Sequence, residues 1–276
     1  QSLWVGNPLT DIETYCIRSF LNKGHKFHLY TYGKVENIPK NVVIKDGNEI
    51  MPEKELFKLK STFIPFSDIF RYKMLYEKGG YWVDMDMICI KKLNFNEPYI
   101  FSSERTIQKG AYAMKVKYVP NIGILKAPPK SEFYKTLYER CIEHEHKKTN
   151  KDKIKYMRIL RDHIEKYKFS KYVKEPVFFC NLDWWDAKDA FLPVKNFRQK
   201  YGVKGKPISS MFGKNVYSVH FWRDLVTKKY KLDTNQTYDD KCLWEIMKKY
   251  VDTKRSPYKT IKKKRKVGKK SCKKIK

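Results

Sequence analysis

The chain has 276 residues, a net charge of +30 at neutral pH and a hydrophobic fraction of 41%. This length allows one large domain with a sizeable core, and the composition is typical of a globular protein rather than a disordered one. No apolar run approaches the ~20 residues that a membrane-spanning helix needs. The six cysteines are scattered without a CxxC pair, which predicts free thiols in a reducing, cytoplasmic compartment and argues against a zinc site.

The basic residues are most concentrated at the C-terminus. Residues 259–276 contain eleven Lys or Arg and no acid, which leaves +19 (30 − 11) on residues 1–258. We predict one folded domain over residues 1–258 and a disordered polybasic tail over residues 259–276. A tail of this composition could also be a nuclear-import signal, a nucleic-acid patch or an anchor for peripheral membrane association.

The first 45 residues alternate between strand and helix patterns. Leu3-Trp4-Val5-Gly6 is a short apolar run typical of a buried strand. Thr10 and Glu13 form a capping box that begins an amphipathic helix, and residues 26–32 and 41–45 follow as strand candidates. This alternation predicts an α/β domain with a parallel sheet.

A helix followed by a double glycine is the next pattern in the chain. We predict this helix over residues 67–78, with Ser67 as the N-cap and Gly79 at its end. Asp68 and Arg71 are three residues apart, so they are expected to be neighbours on the helix surface.

A buried strand is predicted over residues 81–85, and two carboxylates, Asp84 and Asp86, stand at its end. Because alternate side chains of a strand share a face, both carboxylates are expected to point the same way. Two carboxylates so placed repel each other unless a cation lies between them. The pattern therefore predicts a divalent metal that holds a phosphorylated ligand.

Further elements follow in the second half of the chain. Residues 121–127 and 216–222 have strand patterns, residues 131–145 form an amphipathic helix, and a last helix is expected around residues 243–247. The sequence contains no internal repeat.

Three motifs follow one another in one order and spacing: Ser-Asp-x-x-Arg-Tyr at 67–72, Leu-Tyr-x-x-Gly-Gly at 75–80, and aromatic-x-Asp-x-Asp at 82–86. Together they resemble the DXD-containing sugar-binding region of family 32 glycosyltransferases. Glucosylating bacterial toxins and yeast-type α-mannosyltransferases share this signature. Residues 3–6 resemble the family's opening strand, and residues 218–222 resemble its closing His-x-Trp strand.

The resemblance implies a GT-A, Rossmann-like nucleotide-sugar-binding fold with a mostly parallel central sheet. It also implies a metal-dependent transferase that moves a hexose from a UDP- or GDP-sugar to a hydroxyl of a glycan, protein or lipid, with retention of the anomeric configuration.

The resemblance further implies the residues that contact the donor. Trp4 would stack on the nucleotide base, and Asp68 and Arg71 would contact the sugar hydroxyls. Trp82 stands where relatives often carry Tyr, and Asn121 stands where they place a polar residue near the donor sugar.

The metal side of the site is implied in the same way. Asp84 would bind the ribose and approach the metal, Asp86 would ligate the metal, and His220 would complete its shell. Trp222 would close over the diphosphate. Two carboxylates and an imidazole suit Mn²⁺ somewhat better than Mg²⁺. We expect Asp84, Asp86 and Arg71 to carry the catalysis.

Other interpretations remain open from the sequence alone. Asp68 with Arg71 could be a surface ion pair, His220 an ordinary half-buried histidine, and the tryptophans core residues. Residues 183–186, Asp-Trp-Trp-Asp, could form an acceptor-side wall or pack in the core. The positive charge and many aromatics also suit a nucleic-acid-binding protein, although no recognisable module is present. A catalytically inactive sugar-binding relative is the third possibility.

Overall fold

The computed structural model describes residues 1–56, 63–109, 114–147 and 156–255. The polybasic tail at 259–276 lies outside the described residues, so its predicted disorder and its possible partners stay predictions. None of the helices in the described ranges is long and apolar enough to cross a membrane.

The strands are β1 (Ser2–Leu3), β2 (Phe27–Thr31), β3 (Val42–Asp46), β4 (Gly80–Val83), β5 (Met87–Cys89), β6 (Ile100–Lys109), β7 (Met114–Ala127) and β8 (Ser218–His220). The α-helices are α1 (Asp11–Asn22), α2 (Glu53–Leu56), α3 (Ile64–Lys78), α4 (Glu132–Lys147), α5 (Tyr156–Lys166), α6 (Pro176–Phe179) and α7 (Leu243–Thr253). Single turns of 3₁₀ helix lie at Gly47–Glu49, Ser170–Tyr172, Trp184–Asp186, Asp189–Phe191 and Ile208–Phe212, and a π-helical turn lies at Leu225–Lys229.

The N-terminal strands form the predicted parallel sheet. β1 pairs with β2, and β2 pairs with β3, both in parallel. The capping box is present at the start of α1, where the Glu13 carboxylate accepts a hydrogen bond from the Thr10 N–H at 2.8 Å. The expectation of an α/β fold with a parallel sheet is confirmed.

Strand β4 lies beside β1 in a parallel orientation, because the Gln1 amino group donates to the Tyr81 carbonyl at 2.9 Å and the Val83 N–H donates to the Gln1 carbonyl at 3.0 Å. β4 then pairs antiparallel with β7, and β7 pairs antiparallel with β6. β5 and β8 pair antiparallel in a two-stranded sheet of their own. Parallel pairing is thus concentrated in the N-terminal half of the fold and antiparallel pairing in the C-terminal half. The functional side chains come from the region where the two halves meet.

The core lies on both faces of the sheet. Leu29 and Tyr30 are adjacent in β2 but pack into different apolar clusters, as do Trp82 and Val83 in β4. Successive strand side chains point to opposite faces, which explains this division. Helices α1 and α7 cover one face, and α3, α4 and α5 cover the other. Each large apolar side chain so buried contributes roughly 2 kcal/mol.

Helix α3 begins at Ile64 and not at Ser67, so the predicted N-cap is wrong. Pro65 lies in the first turn, where its missing N–H costs nothing, and Ser67 already donates its N–H to the Phe63 carbonyl at 2.8 Å. The end of the helix is as predicted. Gly79 has φ +63°, and a Cβ there would lie 2.4 Å from the Pro129 nitrogen, so only glycine fits.

The strand before the two carboxylates ends at Val83 and not at residue 85, so strand alternation does not explain how the carboxylates meet. Asp84 still pairs with β7, because its N–H donates to the Gly123 carbonyl at 2.8 Å. The chain then turns, and the Met87 N–H donates to the Asp84 carbonyl at 3.3 Å. This turn brings Asp84 and Asp86 together.

Candidate active site

Asp84, Asp86 and His220 form one cluster at the edge where β5 meets β8. The antiparallel register places Met87 opposite His220, so Asp86 lies next to the histidine. One potential ligand atom from each of the three residues lies within 4.8 Å of the others. Carboxylate oxygens with one imidazole nitrogen suit a hard divalent cation such as Mn²⁺ or Mg²⁺. The donor set therefore fits the metal that the sequence predicts.

Asp86 and His220 are held against each other. His220 Nε2 lies 3.2 Å from Asp86 Oδ1, while Asp86 Oδ2 accepts the Arg223 N–H at 2.7 Å. Burial alone would lower the pKa of His220, but the Asp86 carboxylate outweighs burial and raises this pKa well above its ordinary value. Burial opposes ionisation of Asp86 as well, yet the histidine and the Arg223 N–H lower its pKa. The pair is thus ionic, and a bound cation would replace the histidine proton.

Asp84 is held by two donors on one oxygen. Its Oδ1 accepts hydrogen bonds from Arg71 Nη1 at 2.8 Å and from Trp82 Nε1 at 2.9 Å. Burial raises the pKa of Asp84, while Arg71 opposes the shift. Within the described ranges no protein donor reaches Oδ2, so this oxygen is available to a cation or a ligand. Trp82 uses its only side-chain donor to orient Asp84.

Arg71 is buried and held by protein acceptors. Its Nη1 donates to Asp84 and to the Ile122 carbonyl, its Nη2 donates to the Ser67 hydroxyl and lies 3.0 Å from Asp68, and its Nε donates to the Ser67 carbonyl. Four of the five guanidinium N–H groups are thus engaged by hydrogen bonds to the protein. In this structure Arg71 orients two carboxylates, and its contact with a donor sugar stays a prediction.

Asp68 faces the same site from helix α3. The predicted pairing with Arg71 is present at 3.0 Å, and only 6% of the arginine side chain is exposed, so this is not a surface ion pair. Burial raises the pKa of Asp68 to about 6, with Arg71 opposing and Asp84 adding to the shift. The Oδ1 atom is buried and makes a close ionic contact without hydrogen-bond geometry. Its predicted contact with a donor sugar stays a prediction, because this oxygen has almost no accessible surface in the structure.

A pocket of about 340 Å³ opens over these residues. Most of the predicted site residues line it: Trp4, Asp68, Arg71, Trp82, Asp84, Asp86, His220 and Trp222. A second cavity of about 560 Å³ shares part of its wall and extends past Trp4 to Phe63 and Lys228. We call the two together the donor groove. One end contains the carboxylates, and the other end contains aromatic and basic side chains.

Trp222 forms part of the wall at the carboxylate end of the donor groove. Its ring stacks on His220 with centroids 3.9 Å apart, and its Nε1 donates to the Leu182 carbonyl at 2.9 Å. Trp222 has φ +56°, a left-handed conformation that is uncommon for a bulky residue and occurs mostly at functional or tightly determined positions. The indole is therefore oriented by the protein beside the metal ligands.

Asn121 does not line the donor groove. It is buried, and its Nδ2 donates to Glu104 at 3.1 Å and to the Cys180 thiol at 3.3 Å, while its Oδ1 accepts from Ser102. The same thiol lies 3.8 Å from His220 Nδ1. Asn121 thus supports His220 through Cys180, and its predicted contact with the donor sugar stays a prediction.

Arg223 is a site residue that sequence reasoning missed. Its N–H binds Asp86, its guanidinium forms an ion pair with the buried Glu13, and it lies 5.1 Å from the centre of the Trp4 ring. It lines both parts of the donor groove. Its position directly after the His-x-Trp strand is the one local signal that could have indicated it.

Residues 183–186 divide between the two predicted roles. Asp183, Trp185 and Asp186 are buried, in agreement with core packing. Trp184 is partly exposed, and its ring stacks on Tyr201 with centroids 6.5 Å apart. Only this tryptophan of the segment remains a candidate for an acceptor-side wall.

Two comparisons with known proteins found similarities. Residues 11–106 match the family described as a glycosyltransferase sugar-binding region containing a DXD motif. Among solved structures, the PaToxG glycosyltransferase is similar to 60% of this chain and 68% of its own length, with a TM-score of 0.44 and 13% sequence identity. No curated protein sequence matches the chain significantly.

The matched segment covers only part of the site. It contains the charged residues from α3 and the strand that follows, namely Asp68, Arg71, Asp84 and Asp86. His220, Trp222 and Arg223 lie outside it, and the fold brings them to the same groove.

Proposed function

We propose that this protein is a metal-dependent, retaining hexosyltransferase, because residues 11–106 match the glycosyltransferase sugar-binding region that contains a DXD motif. It would move a hexose from a UDP- or GDP-sugar to a hydroxyl acceptor. The observation that carries this proposal is the convergence of Asp84, Asp86 and His220 within 4.8 Å in the donor groove.

The same three residues would hold the cation, with Mn²⁺ favoured over Mg²⁺ because an imidazole joins the two carboxylates. A bound cation supplies charge neutralisation for the departing nucleoside diphosphate. Arg71 and Trp82 support this role, because both fix the orientation of Asp84 through hydrogen bonds to Oδ1. Pre-oriented ligands lose little entropy when the cation and donor bind.

The two ends of the donor groove suit the two ends of a nucleotide-sugar. Trp4 offers a half-buried ring to a base, and the guanidinium of Arg223 lies next to it. Asp68 lines the other end of the groove, where we place the donor sugar. The diphosphate would then lie between them, beside the carboxylates and His220.

Retention of configuration calls for either a nucleophile or a front-face transfer. Asp84 and Asp86 are assigned to the cation, so neither is available as a nucleophile. We favour the front-face route, in which the bond from the anomeric carbon to the diphosphate breaks as the acceptor oxygen bonds to the same face. The acceptor proton passes to the departing phosphate oxygen. Trp222 would shield this step from water.

The proposal is tested with purified full-length protein, Mn²⁺ and a panel of UDP- and GDP-sugars, with nucleotide release as the readout. We expect release from at least one donor, and a loss of at least about a hundredfold in Asp86→Asn because a metal ligand is removed. Asp252→Asn is the matched control, since Asp252 pairs with Arg18 outside the groove and both are substantially exposed. No release from any donor by folded protein, or equal release by Asp86→Asn, would contradict the proposal.

A further inference from the structure

An open cavity of about 590 Å³ lies outside the donor groove. Its lining combines one arginine with exposed aromatic and small residues: Arg105, Val116, Tyr118, Tyr201, Gly202 and Val203. Tyr118 is 58% exposed and Tyr201 is 40% exposed. Two exposed tyrosines on one concave surface indicate a binding role more than a packing role.

Tyr201 occupies a backbone position that rarely carries an aromatic residue. Lys200 and Val203 exchange backbone hydrogen bonds at 3.2 and 2.8 Å, so residues 201 and 202 form a two-residue hairpin turn. Tyr201 has φ +53° and Gly202 has φ +77°. This is the type I′ pattern, in which Asn or Gly is strongly preferred at both positions. A tyrosine backbone is strained in this left-handed conformation, and such strained positions occur mostly at functional sites, which points to a binding role for the Tyr201 ring.

The Tyr201 ring rests on a tryptophan pair. Trp184 stacks on it at 6.5 Å with an interplanar angle of 29°, and Trp185 meets it edge-on at 5.4 Å. Trp184 is itself partly exposed. Tyr201 is thus held by ring contacts, and Tyr118 lines the same cavity. We call Tyr118, Tyr201 and Trp184 the aromatic platform.

Ion pairs hold the turn in place. Lys200 Nζ binds Asp186 at 3.0 Å and Asp189 at 2.8 Å, so the residue before Tyr201 is anchored to the segment that carries Trp184. Arg105 Nη1 binds the buried Asp183 at 2.8 Å on the other side of the cavity. The platform is thus organised before any ligand binds, which lowers the entropic cost of binding.

The aromatic platform is connected to the donor groove in two ways. Trp222 donates its indole N–H to the Leu182 carbonyl, two residues before Trp184. Along β7, Tyr118 lies four residues before Ile122, which lines the donor groove. The nucleotide end of the groove has different lining residues, Phe63 and Lys228, so the platform is free for another substrate.

We infer that the aromatic platform binds the acceptor, and that the acceptor is a carbohydrate chain of more than one sugar unit. This inference rests on the proposed function, because only a transferase has an acceptor substrate. Pyranose rings present apolar C–H faces that pack on aromatic side chains, and their hydroxyls bind flanking polar groups. A lipid chain would need a continuous apolar groove, whereas this cavity is edged by Arg105. Tyr118 and Tyr201 each present an exposed ring in this cavity, so it offers packing surface to more than one sugar unit.

The test compares binding of α- and β-linked gluco-, galacto- and manno-oligosaccharides of increasing length, measured by calorimetry on the full chain without donor. We expect affinity to rise with chain length, and Tyr201→Asn to weaken binding by at least about tenfold. Asparagine suits the left-handed turn, so this variant removes the ring without straining the backbone. Lys168→Asn is the matched control, because Lys168 also has positive φ, is exposed and lies outside the cavity.

The outcomes separate this inference from the proposed function. Wild-type protein that hydrolyses a nucleotide-sugar but binds none of the oligosaccharides, or binds them equally well as Tyr201→Asn, overturns the platform alone. Wild-type protein that hydrolyses no donor but binds oligosaccharides through Tyr201 overturns the transferase and supports the platform as a carbohydrate-binding surface. Selective loss of binding in Tyr201→Asn, with Lys168→Asn unchanged, supports the inference.

Discussion

The two walls of the donor groove are built on different physical principles. The wall from α3 and β4 consists of Asp68, Arg71 and Asp84, a buried group in which one arginine neutralises two carboxylates. The wall from β8 uses ring stacking of Trp222 on His220 and a backbone N–H of Arg223 bound to Asp86. One wall therefore depends on a single charge, while the other spreads its support over several weak contacts.

This difference predicts where the protein is vulnerable. Removing one member of a buried ion pair leaves an uncompensated charge, which costs much more than removing both members together. Removing one stacking or hydrogen-bonding contact leaves the others in place and costs about 1 kcal/mol. Single substitutions in the wall from α3 and β4 should thus lower the free energy of unfolding more than single substitutions in the wall from β8.

The largest effect is expected for Arg71→Ala. The change leaves Asp68 and Asp84 buried without their cation and should lower the free energy of unfolding by about 3–5 kcal/mol. Urea unfolding of the full chain measures this loss. It should also abolish donor hydrolysis, since Asp84 loses one of its two orienting donors.

The matched change in the opposite wall is Trp222→Phe. It keeps a ring over His220 but removes the hydrogen bond to the Leu182 carbonyl and part of the ring contact, so the expected loss is about 1–2 kcal/mol. If the two variants lose equal stability, the contrast between the walls is wrong. The exposed pair of Arg18 with Asp252 gives a further reference, because Arg18→Ala should cost less than about 1 kcal/mol.

A smaller, pH-dependent effect is expected at Asp68. Its pKa is raised to about 6 in the folded protein, so the native state holds this proton more tightly than the unfolded chain does. The resulting stability is complete below about pH 4 and is lost as the pH rises through 6. Asp68→Asn lacks this titration, so its stability relative to wild type should rise by an amount on the order of 2 kcal/mol between pH 4 and 8.

Urea unfolding of both proteins across this pH range checks the prediction. If the free energies of unfolding of wild type and Asp68→Asn change in parallel with pH, the pKa of Asp68 is not raised in the folded protein and the prediction is wrong. A difference of opposite sign would mean that Arg71 overcompensates burial at Asp68.

Local patterns predicted the parts of the site that are close in sequence. Asp68 and Arg71 pair because residues three apart on a helix are neighbours, and the end of α3 follows from Gly79, where a side chain would meet Pro129. Asp84 and Asp86 were expected to meet through strand alternation, but the strand ends at Val83 and a turn brings them together. The two carboxylates do lie together as predicted, although the predicted local geometry was wrong and their metal binding stays a prediction.

Contacts between distant segments could not be predicted in this way. Arg223 reaches Asp86 only because β8 pairs with β5, and its position directly after the His-x-Trp strand is all that distinguishes it locally from the other Lys and Arg of a basic chain. The thiol of Cys180 meets His220 because the α6 segment is hydrogen-bonded to β8 and the residue before it. Tyr201 is conspicuous only once its positive φ is known.

The central claim is that Asp84, Asp86 and His220 hold a divalent cation that in turn holds a nucleoside diphosphate. The most direct measurement is the melting temperature of the full chain with UDP and GDP, each with and without Mn²⁺, in wild type and in Asp86→Ala. A ligand that binds only the native state raises the melting temperature with the logarithm of its concentration over its Kd. We predict a nucleotide-dependent rise that requires Mn²⁺ in wild type and is absent from Asp86→Ala. A rise that is independent of Mn²⁺, or that survives in Asp86→Ala, would contradict the account.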